Sequence, residues 1–357
     1  MKKLIILIIL LIVPINTYAY SSSATSTILM DTDNNRIIYA NNIHNVRSVA
    51  SISKIMTCIL AIESNKLNET ITVGNEIDDA NGSNIYISKG ENIRLIDLLY
   101  GLMLRSGNDA SLVIASYVGG NVENFVSMMN DKAKKIGMKN TNFNNPNGLD
   151  SMKGNFSTAY DMAILTSYAM KNNIYKKIVS TKKYNLKTNN NTYSWKNKNR
   201  LLYEYKYITG GKTGFTETAR RTLVTTASKN GINLVVVTLN DGDDFSDHKK
   251  LYEEAFDEYK NYNILKKGYI EIISEEYYSN VKYYIKDNFS YILKDNDKDN
   301  IVLKFKLNRK YNYKNNECIG KVYVMFEEKE IYSTDVFIEI KRKKIKVFDK
   351  IKRWLSD

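Results

Sequence analysis

The stretch SVASISKIMT, from Ser48 to Thr57, sets a serine, Ser51, three residues ahead of a lysine, Lys54. On a helix, residues three apart share a face about one turn apart, so the hydroxyl and the amine can meet. An unassisted serine hydroxyl is too weakly acidic to be a good nucleophile, and a neutral amine beside it can take its proton. Serine and lysine are common, however, and such pairs also sit idle on solvated helices. The rest of the chain has to supply the partners that would make this pair a site.

Two short signals downstream do so. The stretch LRSGNDAS supplies Ser106, Gly107 and Asn108, and GGKTGFT supplies Lys212, Thr213 and Gly214. Either alone reads as an ordinary turn or strand end. Together with Ser51 and Lys54, in this order, they are far more specific than any one of them alone.

Bulk properties bound the setting. A chain of 357 residues has room for two domains, and 43% hydrophobic with 25% charged residues fits an ordinary folded protein. The net charge of +13, from 52 basic and 39 acidic residues, invites an anionic partner. Lysine, asparagine, isoleucine and tyrosine are abundant throughout, so only local clustering of charge is informative. The opening MKKLIILIILLIVPINTYAYSSS has Lys2 and Lys3, an apolar run from Leu4 to Val13 and a small-residue exit at Ala19. That is the build of a secretory signal peptide over residues 1–19, with an apolar core short for a membrane span; a retained N-terminal anchor is the alternative. Cys58 and Cys318 fall in what read as separate domains and are expected to stay unpaired. The histidines are His44 and His248, with no Cys/His cluster at metal-ligand spacing, so neither a metal site nor a Ser-His-Asp triad is supported and no cofactor is expected.

The pattern around these motifs predicts an α/β domain over residues 20–263. Thr27 to Met30 and Arg36 to Ala40 read as a hairpin across the polar turn Asp31 to Asn35. A helical stretch follows: Ser51 to Asn65, Leu95 to Leu104, Ala110 to Val118, Asn121 to Ile136 and Thr158 to Lys171. Between the last two, NTNFNNPNGLDSMKGNFS reads as a structured loop. After Gly210 the chain returns to strands, with Asn230-Gly231 a strong hairpin signal inside RTLVTTASKNGINLVVVTLN. A helix carrying Leu251, Ala255, Phe256 and Tyr259 closes the domain. The expectation is a five-stranded antiparallel sheet, built from both ends of the domain and flanked by helices, with a helical insert. From residue 264 to 340, period-two alternation (Val281, Tyr283 and Ile285; then Leu303, Phe305 and Leu307 against lysines) predicts a small all-β, sandwich-like domain. Residues 341–357, KRKKIKVFDKIKRWLSD, gather lysines and arginines around Ile345, Phe348, Ile351, Trp354 and Leu355 at helical spacing, as in a basic amphipathic helix on an anionic membrane surface. A solvated basic end is the alternative, and a nucleic-acid partner is not expected.

With these motifs in view, the chain resembles the penicillin-binding serine acyltransferases, whose S-x-x-K, S-x-N and K-T-G set it carries. SVASISKIMT, MLRSGNDAS, MKNTNFNNPNGLD and GGKTGFTETARRTLVTTA are most similar to the low-molecular-weight D-alanyl-D-alanine carboxypeptidases of bacterial cell walls. The resemblance covers Ser26 to Tyr259 and implies a β-lactamase/transpeptidase-like fold. It implies removal of the terminal D-alanine from peptidoglycan pentapeptides through a Ser51 acyl-enzyme, with β-lactams as covalent inhibitors, at the outer face of the cytoplasmic membrane or in the wall. By the same resemblance Lys54 is the base, Ser106 relays a proton, and Asn108 holds substrate or lysine. Lys212 and Thr213 face the substrate carboxylate, Gly214 admits the peptide to the strand edge, and the N–H groups of Ser51 and Phe215 form the oxyanion hole.

Two departures stand out. Many relatives have histidine where this chain has Asn147, and many have a glycine-tyrosine pair where it has Arg220 and Arg221. The arginines read either as carboxylate contacts or as exposed strand charges; Arg47, His44 and His248 read as structural. Two other functions share the motifs, a β-lactamase-like hydrolase and an inactive wall-binding scaffold. The first needs fast deacylation, usually by a loop glutamate, and NFNNPNGLDS has none.

Overall fold

The structure, a computed structural model, describes residues 20–150, 154–272, 281–308 and 313–340. The expected signal peptide and the basic tail lie outside the described residues. The chain divides into two compact units: residues up to Lys229 with Asn233–Asp257, and Asn230–Ile232 with the residues from Glu258 onward. Among the described residues, no helix is long and apolar enough to cross a membrane.

The first unit is built on a five-stranded sheet in the order β2-β1-β5-β4-β3, where β1 is Ser26–Asp31, β2 Ile37–Asn41, β3 Ile208–Thr216, β4 Arg220–Lys229 and β5 Ile232–Leu239. β1 runs antiparallel to both β2 and β5, and β4 runs antiparallel to β3. Asn230 and Gly231 both have positive φ, 51° and 77°, the geometry a two-residue turn needs to match strand twist. Successive side chains on a strand face opposite ways, and this sheet uses both faces. Val224, Val235, Val237 and Leu239 join the helical core, while Thr225 and Thr238 face His248 on the closing helix α7 (Asp244–Glu258). His248 is fully buried between these two hydroxyls, and burial pushes its pKa down to about 3. His44, by contrast, packs against the ring of Tyr160.

The helical insert comprises α1 (Lys54–Glu63), α2 (Leu95–Tyr100), α3 (Asn108–Gly119), α4 (Val122–Lys135), α5 (Ala159–Ala169) and α6 (Asn173–Ser180). α1 is buried from Lys54 to Ile62, so its apolar residues pack on all sides, as expected of a helix at the centre of a domain. Two expected helices differ in detail. The Ser51 helix opens as a 3-10 turn over Ala50–Ser53 before α1 begins. The Leu95 helix widens after Tyr100 into a π-helical turn over Gly101–Arg105, which delivers Ser106 in a left-handed conformation at φ 67°. Gly101 permits that packing, because a Cβ there would lie 2.5 Å from Ile85 Cδ1.

The sequence reading passed over α6 and a hairpin pairing Lys183–Lys187 with Thr192–Lys196. Tyr184 and Trp195 alternate inward there, and Tyr184 stacks on Tyr100 at 3.8 Å between ring centroids. Tyr259, expected on the closing helix, starts a strand instead.

That strand, β6 (Tyr259–Leu265), belongs to the second unit and pairs with β9 (Phe289–Lys294). A five-stranded sheet in the order β7-β8-β12-β11-β10 accompanies it, from β7 (Gly268–Ile270), β8 (Val281–Ile285), β10 (Ile301–Leu307), β11 (Cys318–Phe326) and β12 (Lys329–Ile340). Phe289, Tyr291 and Leu293 of the pair share one core with Val322, Val324, Val336 and Ile338 of the sheet. Leu303 departs from its expected inward position: on the edge strand β10 it stays exposed. Cys58 is buried, Cys318 is exposed, and both are free thiols.

Candidate active site

The 3-10 turn places Ser51 at the mouth of a cavity and α1 places Lys54 beneath it. The turn is held by its neighbours: Val49 N–H donates to Asn155 O at 3.1 Å, and Thr222 Oγ1 donates to Val49 O at 3.1 Å. Asp150 ties the surrounding elements together, accepting from Ser48 Oγ at 2.7 Å and from Thr216 Oγ1. Ala50, just before Ser51, has φ 48°, a left-handed conformation costly for a residue with a Cβ.

Lys54 is completely buried and has no carboxylate partner among the described residues. Its Nζ lies 3.1 Å from Ser51 Oγ, donates to Asn108 Oδ1 at 2.6 Å and donates to the carbonyl of Asn147. Burial, first, and the like charges of Lys212 and Lys198 hold its pKa well below the ordinary lysine range. A neutral amine keeps two N–H bonds and one lone pair. With the two carbonyl oxygens taking the N–H bonds, the lone pair is left for the Ser51 hydroxyl 3.1 Å away. The arrangement can therefore accept a proton from Ser51.

The other motif residues converge on the same place. Lys212, also buried, donates to Ser106 Oγ at 3.0 Å and to Thr213 O at 2.6 Å, and burial, then Lys198, brings its pKa down to about 7. Asn108 Nδ2 donates to Asn81 O, anchoring the amide whose oxygen meets Lys54. Ser51, Ser106, Thr213, Gly214 and Phe215 line one cavity of about 370 Å³, together with Ser83, Lys198, Arg221, Asp244 and Phe245. Phe215 is 61% exposed at its edge.

The structure adds detail at three positions. Gly214 was expected to make room for substrate, but a Cβ there would lie 2.4 Å from Thr222 Oγ1 and 3.0 Å from Ser51 N, so it first makes room for the nucleophile turn. At position 147 the backbone carbonyl is what meets Lys54, so that contact does not depend on the side chain, and the Asn147 side chain accepts from Leu149 N–H at 2.9 Å. Arg221, read in preference as an exposed strand charge, sits in the cavity wall, paired with Asp244 and beside the Phe245 ring. Arg220 stays exposed at a positive φ of 58°.

Lys198 is a site residue the sequence reading missed. Exposed at the cavity wall, it donates from Nζ to Ser83 Oγ at 3.2 Å, and its charge lowers the pKa of both motif lysines. Its backbone N–H donates to Leu104 O, so the hairpin before it sets its position; in a lysine-rich chain, nothing in WKNKNR marks it. Among the described residues, no group of three His, Cys, Asp or Glu side chains is placed to hold a metal ion.

The fold and the Ser-Lys centre define the class, a serine hydrolase of the penicillin-binding type. The chain belongs to the D-alanyl-D-alanine carboxypeptidases of peptidase family S11, whose family profile matches residues 15–243. It is 31% identical over 261 residues to D-alanyl-D-alanine carboxypeptidase DacF of Bacillus subtilis, a match covering 71% of this chain and 67% of that protein. It is 29% identical over 356 residues to the carboxypeptidase DacA of Haemophilus influenzae, covering 93% and 88%. Among solved structures, penicillin binding protein 5 of Haemophilus influenzae is similar with a TM-score of 0.75 at 25% identity, covering 90% of this chain and 98% of that one. That likeness extends well past the Ser-Lys unit, into the β-rich C-terminal region.

Proposed function

We propose that this chain is a serine-type D-Ala-D-Ala carboxypeptidase that removes the terminal D-alanine from peptidoglycan stem peptides, and that β-lactams acylate it at the same serine. The observation that carries this reading is the contact of Lys54 Nζ with Ser51 Oγ at 3.1 Å, with two carbonyl oxygens fixing the amine's orientation.

In the first step Ser51 Oγ attacks the carbonyl carbon of the bond between the two D-alanines as Lys54 takes its proton. The developing oxyanion is held by the backbone N–H groups of Ser51 and Phe215. The carbon–nitrogen bond then breaks, and the leaving amine receives a proton through the Ser106 hydroxyl. Ser106 is in turn contacted by Lys212. Water later attacks the ester, Lys54 again accepting a proton, and free Ser51 is restored. Lys212 and Thr213 face the terminal carboxylate, and Arg221 adds a third group to that end of the cavity; Asn108 keeps Lys54 in register. The only carboxylate among the lining residues is Asp244, which Arg221 engages, an arrangement that favours slow deacylation of β-lactams over a β-lactamase role.

The segment at residues 1–19 directs export, and the basic tail at 341–357 lies on the anionic outer surface of the membrane with the β domain as a spacer toward the wall. The decisive experiment incubates the purified protein with a peptide ending in D-Ala-D-Ala and, separately, with a β-lactam. Release of D-alanine and a stable adduct that mass spectrometry maps to Ser51 are expected. Rapid drug turnover would make the protein a β-lactamase; no D-alanine release and no adduct would leave a scaffold. Undiminished labelling of Ser51→Ala would overturn the nucleophile.

A further inference from the structure

A second and larger cavity, about 630 Å³, lies at the opposite end of β3 and β4 and shares no lining residue with the first. Its volume falls within the range of about 300–1,000 Å³ usual for small-molecule sites. The floor is apolar, with Met170, Ile208, Ala227 and Leu234 contributed by the C-terminal end of α5 and the strand ends. Thr209 and Thr226 pair their hydroxyls at 2.8 Å across the two strands, three positions before Lys212 on β3.

Two independent observations point to a ligand. Lys171, Lys176 and Lys177 ring the rim, and among the described residues none of the three enters a salt bridge. The Ser167 hydroxyl, 3% exposed and lining the same cavity, has no hydrogen-bond partner among the described residues. A buried hydroxyl without a partner is uncommon in folded proteins and asks for one from outside the chain. Asp33, the one carboxylate among the described lining residues, accepts from Asn233 Nδ2 at 2.9 Å and offsets one of the three lysine charges, so the rim stays net positive.

We propose that this cavity binds an anion of roughly dipeptide size, its carboxylate or phosphate held by the three lysines, its small apolar part on the Met170 floor, and a polar atom bonded to Ser167. The ligand is recognised here by charge and shape alone, so a peptide carboxylate and the phosphate of a wall polymer are the two sources of that chemistry. The site is independent of the reaction at Ser51, and its test uses none of the residues there.

The experiment titrates the full chain at low salt with N-acetyl-D-alanine and, separately, with glycerol 1-phosphate, by calorimetry. Saturable binding of at least one probe is expected, weakened by added salt. The triple variant Lys171→Gln/Lys176→Gln/Lys177→Gln should bind at least tenfold more weakly while releasing D-alanine at the native rate, and the single charge reversal Lys177→Glu should weaken binding in the same direction without risk to the fold. Tighter binding of the first probe identifies a peptide end, tighter binding of the second a wall polymer. Absence of saturable binding by either probe, or native affinity in both variants, would overturn the proposal.

Discussion

Replacing Gly148 with alanine tests whether the Asn147 loop positions the nucleophile. A Cβ at position 148 would lie 2.0 Å from Ala50 O, 2.4 Å from Ala50 C and 2.7 Å from Ser53 Oγ, and Gly148 has φ 84°. Relieving the first contact requires the loop and the 3-10 turn to separate by about 1 Å, since carbon and oxygen rarely approach closer than about 3 Å without a hydrogen bond. Alanine in the left-handed region costs about 1–2 kcal/mol. Overpacking adds about 1–3 kcal/mol. The sum, roughly 2–5 kcal/mol, should lower the Tm by at least about 4 °C for a domain of this size. The same movement acts on Ser51, which adjoins Ala50, and on Asn147, whose carbonyl holds Lys54. A displacement of about 1 Å in a catalytic constellation costs on the order of 10²-fold in rate. The assay pairs thermal unfolding with the second-order rate of acylation by a fluorescent penicillin. A variant that melts and acylates like the native protein would show that this packing does not hold the nucleophile.

Three further outcomes are expected. Lys54→Ala should lower acylation by on the order of 10² to 10⁴ with an unchanged circular dichroism spectrum, because it removes the base. In the native enzyme, acylation should rise with pH as Lys54 loses its proton, with a midpoint well below the ordinary lysine range; Lys212→Gln removes a like charge, so the Lys54 pKa climbs and the midpoint must move to higher pH, measurable in a pH series of acylation rates. An unmoved midpoint would exclude Lys212 as a cause. Finally, truncation before Ile345 should release the protein from anionic vesicles in a flotation assay while D-alanine release survives, and binding of the full chain should weaken with salt. Unchanged vesicle binding after truncation would assign the anchor elsewhere.

The residues that sequence reading finds and those it misses differ in a physical way. The roles proposed for Ser51, Lys54, Ser106, Asn108 and Lys212 admit few substitutes, and each motif holds its members within a few positions, so the pattern survives in the linear chain. The five strands and the major helices follow from alternation and from turn residues such as Asn230-Gly231, which are local. Lys198, Asp150 and Arg221 act through contacts that close only when distant segments meet: Lys198 with Ser83 and Asp150 with Ser48. The π-helical turn before Ser106 has no local signature either; the need for glycine at Gly101 shows only once Ile85 and Trp195 are packed against it. Gly214 was legible as a glycine that something needs close to it; which neighbour needs it depended on where Thr222 and the Ser51 turn lie.

The choice of partners for the two buried lysines explains how the site can hold a base at all. A carboxylate beside Lys54 would favour the ammonium form and disable it as a proton acceptor. The chain keeps acids close but committed: Asp109 is a minor influence that raises the Lys54 pKa, and its oxygens are occupied by the N–H groups of Ile85, Tyr86 and Ala110. Asp244 is likewise occupied by Arg221 and by the N–H of Phe245. Lys54 meets neutral carbonyl oxygens, Lys212 meets a hydroxyl and a carbonyl, and each lysine lies within the influence of another cation. Polar groups that accept a hydrogen bond without carrying a full charge satisfy the buried amines while leaving the proton easy to remove. The same logic assigns Lys198 a positioning and electrostatic role: its positive charge disfavours protonation of both buried amines from the cavity wall. Replacing it with glutamate would reverse that influence and return both lysines toward the ammonium form, although every motif residue would still be in place.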